Sequence, residues 1–549
     1  MFLIKKLSSK NLYIYFLFIA YLFSIIYVKE TIFIFYNSTD SPDFIRYFKF
    51  LEFNVDVVKS TSSEQGFLFY DLHSLYFYLR NFDLTQEDFF VYLSKSIQEL
   101  NSLLFMVGSV GLYKLLRLFK YSSIQILTTL IIVNFVPISI AQRIVFKPEI
   151  LIFALFPWLI ISYELFFKSK KLIYLICSIP ILIVMILQKG SSFAMISIFL
   201  TLFYLKRTIF SLKLYRNSVF VLVIVMIVLP LYLTFEENSK LNNLGLFNLQ
   251  SGAVSEAKYD NKGSWKLMYK TKPEELFFYP YKNEHSYSGI NITLLDSFGD
   301  YFDIYWNNDS SYFSKDTLNI VTFKKSSMAR VPLIDLNKNQ ITFFTQEDEN
   351  NYYLRNLTSL FVAIFFYFNF FIYYKKADRF KKKFFLLPLL GYLILMVHVI
   401  FGIPQNNFDP LVGDTLKPFY YSFFLIITIS FLISELSRTK LRSVLLLVLI
   451  IPTFLYIYGF PKNYSEESRS VLDQVNSYST FCRISYKVYN FDNNSEIMCH
   501  EKPLKIRNYE VYKAYSSFNS VPNFHVMNFL NFIFIIFSLF VLSVVKIRI

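Results

Sequence analysis

The chain has 549 residues, 54% of them hydrophobic, and a mean hydropathy of +0.40, which excludes an ordinary soluble globular protein. Its net charge of +15 does not indicate nucleic acid. The basic residues sit in short clusters between apolar runs, the pattern of cytoplasmic loops, and form no continuous basic face.

The first cluster, Lys5, Lys6 and Lys10, precedes an apolar run at 11–28. No small-residue cleavage site follows, so the run reads as an uncleaved first helix with a cytoplasmic N-terminus. Further runs lie at 99–116, 122–141, 149–167, 172–188, 191–205 and 217–235, then at 356–374, 384–403, 418–435 and 443–460, and last at 526–545. Most are long enough to cross about 30 Å of hydrocarbon. Pro137, Pro157, Pro180 and Pro230 fall in or beside them, which membrane helices tolerate. Lys114 to Lys120, Lys168 to Lys171, Lys206 to Arg216, Lys375 to Lys383, Arg438 to Arg442 and Lys546 with Arg548 mark one side of the membrane. Most of the Asp and Glu fall in three long polar stretches on the other side, near 30–98, 236–355 and 461–525.

The expected fold is an all-α polytopic membrane protein of about twelve spanning helices, with small α/β elements in the extracytoplasmic loops. Residues 1–235 form an N-terminal membrane module that includes the first outer loop, 30–98. Residues 236–355 form a large outer loop, 356–460 the C-terminal helices, 461–525 a third outer loop, and 526–549 the last helix and tail. Both termini are expected in the cytoplasm, and the protein in the inner cell membrane. The first loop contains apolar stretches, Phe44 to Phe53 and Leu75 to Phe82, that suit short interfacial helices. No internal repeat is visible, which weighs against transporters built from symmetric halves. Cys482 and Cys499 share the third outer loop, where an oxidising compartment permits a disulfide; two free thiols are the alternative.

Several outer residues could carry chemistry. Asn37 to Tyr47 reads NSTDSPDFIRY, with Asp40 and Asp43 on either side of Pro42 just after the first helix. Helix capping is the plainer account of such a pair. Asp71 and His73 sit late in the first loop. Arg143 and Lys147 break the charge rule in a short outer turn, and Glu149 follows Pro148 into an apolar run. In the second loop, Leu295 to Asp309 reads LDSFGDYFDIYWNND, in which Tyr301 and Trp306 could stack on a sugar. No metal-ligand spacing stands out, and a divalent cofactor is left open.

These residues, in this order and on this side, resemble the GT-C glycosyltransferases, which take sugars from polyprenyl-phosphate donors and include protein O-mannosyltransferases and lipid A aminoarabinose transferases. Those enzymes place an acidic motif, often Asp-Glu-x-x-Tyr, in the loop after an N-in helix. Asp43-Phe44-Ile45-Arg46-Tyr47 keeps the Asp and the Tyr, with Phe for the Glu. His73-Ser74-Leu75-Tyr76 is similar to a His-Pro-Pro-Leu-Tyr segment without its prolines. Lys147-Pro148-Glu149 looks like the mouth of the family's fourth helix. Leu416 to Tyr421, LKPFYY, looks like a late Arg-Tyr pair with Lys417 for the Arg.

The resemblance implies an inverting transfer to an extracytoplasmic lipid, glycan or protein, with membrane lipid as the surroundings and no nucleic acid. Asp43, with Asp40 as the alternative, would be the base. Lys417 would hold the donor phosphate, with Lys147 and Arg143 in reserve. Asp71, His73, Glu149, Tyr301 and Trp306 would bind substrate. Two other classes remain open. An O-antigen polymerase or ligase would favour outer arginines. A lipid or polysaccharide transporter would place ionisable groups in mid-helix, where only Glu164 and His398 stand here.

Overall fold

The computed structural model describes residues 9–31, 67–80, 89–144, 147–188, 190–205, 367–375, 379–400, 418–437 and 526–545, with four short strands between 309 and 342 and isolated positions at 207, 228–229, 231–233 and 364. The helices are α1 (Ser9–Thr31), α2 (Phe67–Arg80), α3 (Phe89–Leu118), α4 (Ser123–Phe135), α5 (Pro137–Ile144), α6 (Glu149–Ser169), α7 (Leu172–Gln188) and α8 (Gly190–Leu200), the last running into a π turn at Thr201–Leu205. After the strands come α9 (Arg379–Phe385), α10 (Leu387–Ile400), a 3-10 turn at Pro418–Tyr421, α11 (Ser422–Leu436) and α12 (Val526–Val544). The strands form two antiparallel hairpins within the second polar stretch. β1 (Asp309–Phe313) pairs with β2 (Ile320–Lys324), and β3 (Leu333–Asp335) with β4 (Gln340–Thr342).

Four helical segments among the described residues are long and apolar enough to cross a membrane: Leu12–Lys29, Glu149–Ser169, Pro418–Leu436 and Val526–Val544. Ser123–Phe135, Leu172–Gln188 and Ser192–Tyr204 are apolar but shorter. α6 is the axis of the bundle and is buried from Glu149 to Phe167. It packs against α3, α7 and α11. Close approach to α3 depends on glycine. A Cβ at Gly111 would lie 2.6 Å from Trp158 Nε1, and one at Gly108 equally near the Phe153 ring. Small residues bring membrane helices together in this way, since helices in lipid associate by van der Waals contact. α1 and α12 stand at the periphery and expose large rings such as Phe16, Phe23, Phe534 and Phe540, the surface lipid tails would cover.

The apolar run at 122–141 is two helices. α4 begins with a capping box, in which Gln125 N donates to Ser122 Oγ and Ser122 N to Gln125 Oε1. It stops at Val136, whose extended conformation (ψ 132) is what a following proline imposes. Pro137 then opens α5, at the position where its missing N–H costs nothing. Pro157 and Pro180 remain inside α6 and α7.

The charged contacts sort into two ends. At one end, Glu435 accepts from Tyr121 Oη at 2.5 Å and pairs with Lys381 at 2.8 Å. Glu164 pairs with Arg207 at 2.9 Å, and Lys114 donates to Leu542 O at 3.2 Å near the end of α12. At the other end, Glu99 meets Arg80 at 3.0 Å and Lys29 at 3.5 Å. Every contact joins residues that the alternation of basic and acidic stretches assigns to the same side. Glu164, the mid-run acid that would suit a transporter, is held in an ion pair.

Candidate functional site

The end that holds Glu99 also gathers the described residues to which the sequence assigns chemistry. α2 begins at Phe67, earlier than its apolar stretch suggests, and it does not lie apart from the bundle. Leu68, Phe69, Tyr70 and Leu72 are buried, and the helix packs on α3, α7 and α12. This brings Asp71 and His73 inside, each only 2% exposed. Asp71 Oδ2 accepts from Asn528 Nδ2 of α12 at 2.7 Å. His73 stands edge-on to Phe69, with centroids 4.4 Å apart. Burial pushes the imidazole down to about 3, against an opposing hydrogen bond with Asn101, so His73 is neutral at physiological pH.

A second set forms where α5, the start of α6 and the 3-10 turn pack together. Arg143 is 3% exposed. Its Nε donates to Ser139 O at 3.0 Å, its Nη2 donates to Asn134 O, and its guanidinium lies 4.8 Å from the Phe105 ring centroid. Through Asn134 O, Arg143 caps the carbonyl end of α4 that the break at Pro137 leaves open. Lys147 is 1% exposed, with Nζ 5.6 Å from the Tyr420 ring centroid. Glu149 opens α6 fully buried, a carboxylate at a helix N-terminus, where the backbone dipole favours it. Gln142 donates to Ser422 at the start of α11. The 3-10 turn that carries Tyr420 directly follows Lys417.

α3 joins the two sets. Asn101, beside His73, and Phe105, beneath Arg143, are one helical turn apart on the same face. Gln98, Ser102 and Ser109 continue a buried polar stripe along it. The arrangement provides a neutral imidazole, a carboxylate and amides at one level, and two cations with a carboxylate at the next. Such groups can hold hydroxyls at the first level and an anion at the second.

Asp71, His73, Arg143, Lys147 and Glu149 are thus placed at one end of the bundle. Asp40, Asp43, Lys417, Tyr301, Trp306, Cys482 and Cys499 lie outside the described residues. Among the described residues, no group of three or more His, Cys, Asp or Glu is placed to hold a metal ion. Asn101, Asn134, Gln142, Asn528 and Asn531 escaped the reading of the sequence. The available signal was an amide inside or beside an apolar run, with Asn528 and Asn531 three residues apart on the last helix.

Residues 95–302 match a protein family described as "6-pyruvoyl-tetrahydropterin synthase related domain; membrane protein". The match covers less than half of the chain and includes Arg143, Lys147 and Glu149. No curated protein and no solved structure matches the chain. With the four apolar helices above, the match identifies a membrane protein.

Proposed function

We propose that the chain is a membrane glycosyltransferase that moves a sugar from a polyprenyl-phosphate donor to an extracytoplasmic acceptor. It has about twelve spanning helices, cytoplasmic termini and a site at the outer surface of the inner membrane. The observation that supports this reading is the meeting of α5, the mouth of α6 and the 3-10 turn after Lys417. Two stretches that carry Arg143 and Lys147, expected in reserve at a donor phosphate, meet the turn that carries Tyr420.

In this reading Asp43 takes the proton of the acceptor hydroxyl as that hydroxyl attacks the anomeric carbon. Asp43 is preferred to Asp40 because Tyr47 follows it by four residues, as in the resembling motif, while Asp40 is better placed to cap a helix opened by Pro42. Lys417, supported by Lys147 and Arg143, neutralises the departing lipid phosphate. Asp71 and His73 bind substrate hydroxyls.

The test is transfer by Asp43→Asn and Asp40→Asn, with the amount of folded protein measured alongside. Asp43→Asn should lower transfer by about 10²–10⁴. Loss of activity in Asp40→Asn alone would move the assignment by one motif position. Full activity in both variants would remove the main support for the reading.

A further inference from the structure

The elbow between α4 and α5 holds a charge that no described residue neutralises. Arg143 is nearly fully buried, and its neighbours are uncharged: the carbonyls of Ser139 and Asn134, the ring of Phe105 and, close by, the Tyr21 phenol. Among the described residues it makes no ion pair, and its Nη1 has no hydrogen-bond partner. Three more buried polar atoms on the elbow lack partners: Asn134 Oδ1, Ser139 Oγ and Gln142 Oε1. Ser139, Gln142 and Arg143 share one face of α5, and Asn134 is already bonded to Arg143.

Two ordinary explanations fall short. The carbonyl end of α4 offsets at most about half a charge. A water molecule could satisfy Nη1 and its neighbours but would leave the charge in place. An anion does both. Lys147, four residues on, is a second buried cation. Burial lowers Arg143 to about 9, which leaves it a cation at neutral pH.

We infer that the α4–α5 elbow is a binding site for a phosphate-class oxyanion, anchored by Arg143 Nη1 and carried on a membrane lipid. A guanidinium offers the planar fork that phosphate oxygens accept. The inference deepens the transferase reading and rests on it for the identity of the carrier: Arg143, ahead of Lys417, takes the donor phosphate. The anion site itself rests on the elbow alone.

The test uses full-length protein in detergent or nanodiscs. Thermal melting and phosphorus NMR are recorded with inorganic phosphate, a short-chain polyprenyl phosphate and the matching uncharged polyprenol. The variants are Arg143→Gln, Arg143→Lys and, as a control on the exposed far end of α6, Lys168→Gln. Polyprenyl phosphate should raise the melting temperature of wild type and Lys168→Gln at concentrations at least tenfold below those at which inorganic phosphate does so, and polyprenol should have no effect. Arg143→Gln should bind polyprenyl phosphate at least tenfold more weakly. Arg143→Lys keeps a charge without the fork and should bind severalfold more weakly, which keeps the site testable if the glutamine variant does not fold. Wild-type binding in either Arg143 variant overturns the anion site. Equal potency of inorganic phosphate, or an equal effect of polyprenol, overturns the lipid carrier. Because the readout is binding, it is separable from transfer. Phosphate binding retained while Asp43→Asn and Asp40→Asn both stay active would sink the transferase reading and leave the anion site standing.

Discussion

His73 should make the protein acid-sensitive by a calculable amount. The imidazole has an ordinary value of 6.5 and is held at about 3 in the fold by burial. The depressed value fixes the sign. Between these limits the unfolded chain binds a proton that the folded chain refuses, so stability falls as pH drops through 6.5 and continues to fall to about 3. At pH 7 the effect is almost nil. At pH 5, about 1.5 units below the unfolded value, it amounts to about 2 kcal/mol, at 1.36 kcal/mol per unit. The assay is the melting temperature of purified protein at pH 7 and pH 5, for wild type and His73→Gln. All other groups are common to the two proteins and cancel in the difference. His73→Gln should lose about 2 kcal/mol less than wild type over this interval. An identical pH dependence in the two proteins would show that His73 is protonated in the fold, and that its environment is wetter than its burial implies.

Two further predictions follow from packing and from charge. Gly111→Ala places a methyl group 2.6 Å from Trp158 Nε1 and threatens the hydrogen bond from Trp158 to Val107 O. It should cost about 1–3 kcal/mol and shift the tryptophan fluorescence, and an unchanged melting temperature would refute the close α3–α6 contact. Reporter fusions after Lys120, Lys171 and Lys383 should read cytoplasmic and fusions within 240–350 external, and one reversed long loop would break the charge argument.

The sequence makes the existence of the helices legible because lipid demands long apolar runs. The runs at 149–167, 172–188 and 526–545 return as α6, α7 and α12 with only small shifts at their ends. The break in 122–141 is less legible. Pro137 ends a helix while Pro157 and Pro180 do not, and the difference lies in the surroundings. At the elbow, Arg143 is at hand to take the freed Asn134 carbonyl. α3 starts ten residues before its apolar run, because Ser94, Lys95, Ser96 and Gln98 interrupt the hydropathy without interrupting the helix. The site shows the same pattern. Arg143, Lys147 and Glu149 stand out as charges in the wrong place, whereas Asn528 is an ordinary amide until the fold brings it to Asp71 across 457 residues.

The enclosure of α6 bears on how the chain is made. The ribosome releases α6 roughly 250 residues before α11, a wait of roughly 10–50 s at ordinary translation rates. What waits is chemically mild. Glu164 meets Arg207 after only 43 residues. The flank that α11 later covers presents the Phe156 ring, which then packs 5.2 Å from Phe423 and 5.4 Å from Phe424. The polar groups that wait longest for α11 are uncharged: Gln142 for 280 residues, Thr129 for 305 and Tyr121 for 314. Toward α11 a nascent chain therefore leaves only neutral side chains unmet, and the one acid in late α6 is matched by an arginine before the polar stretch at 236–355 is begun.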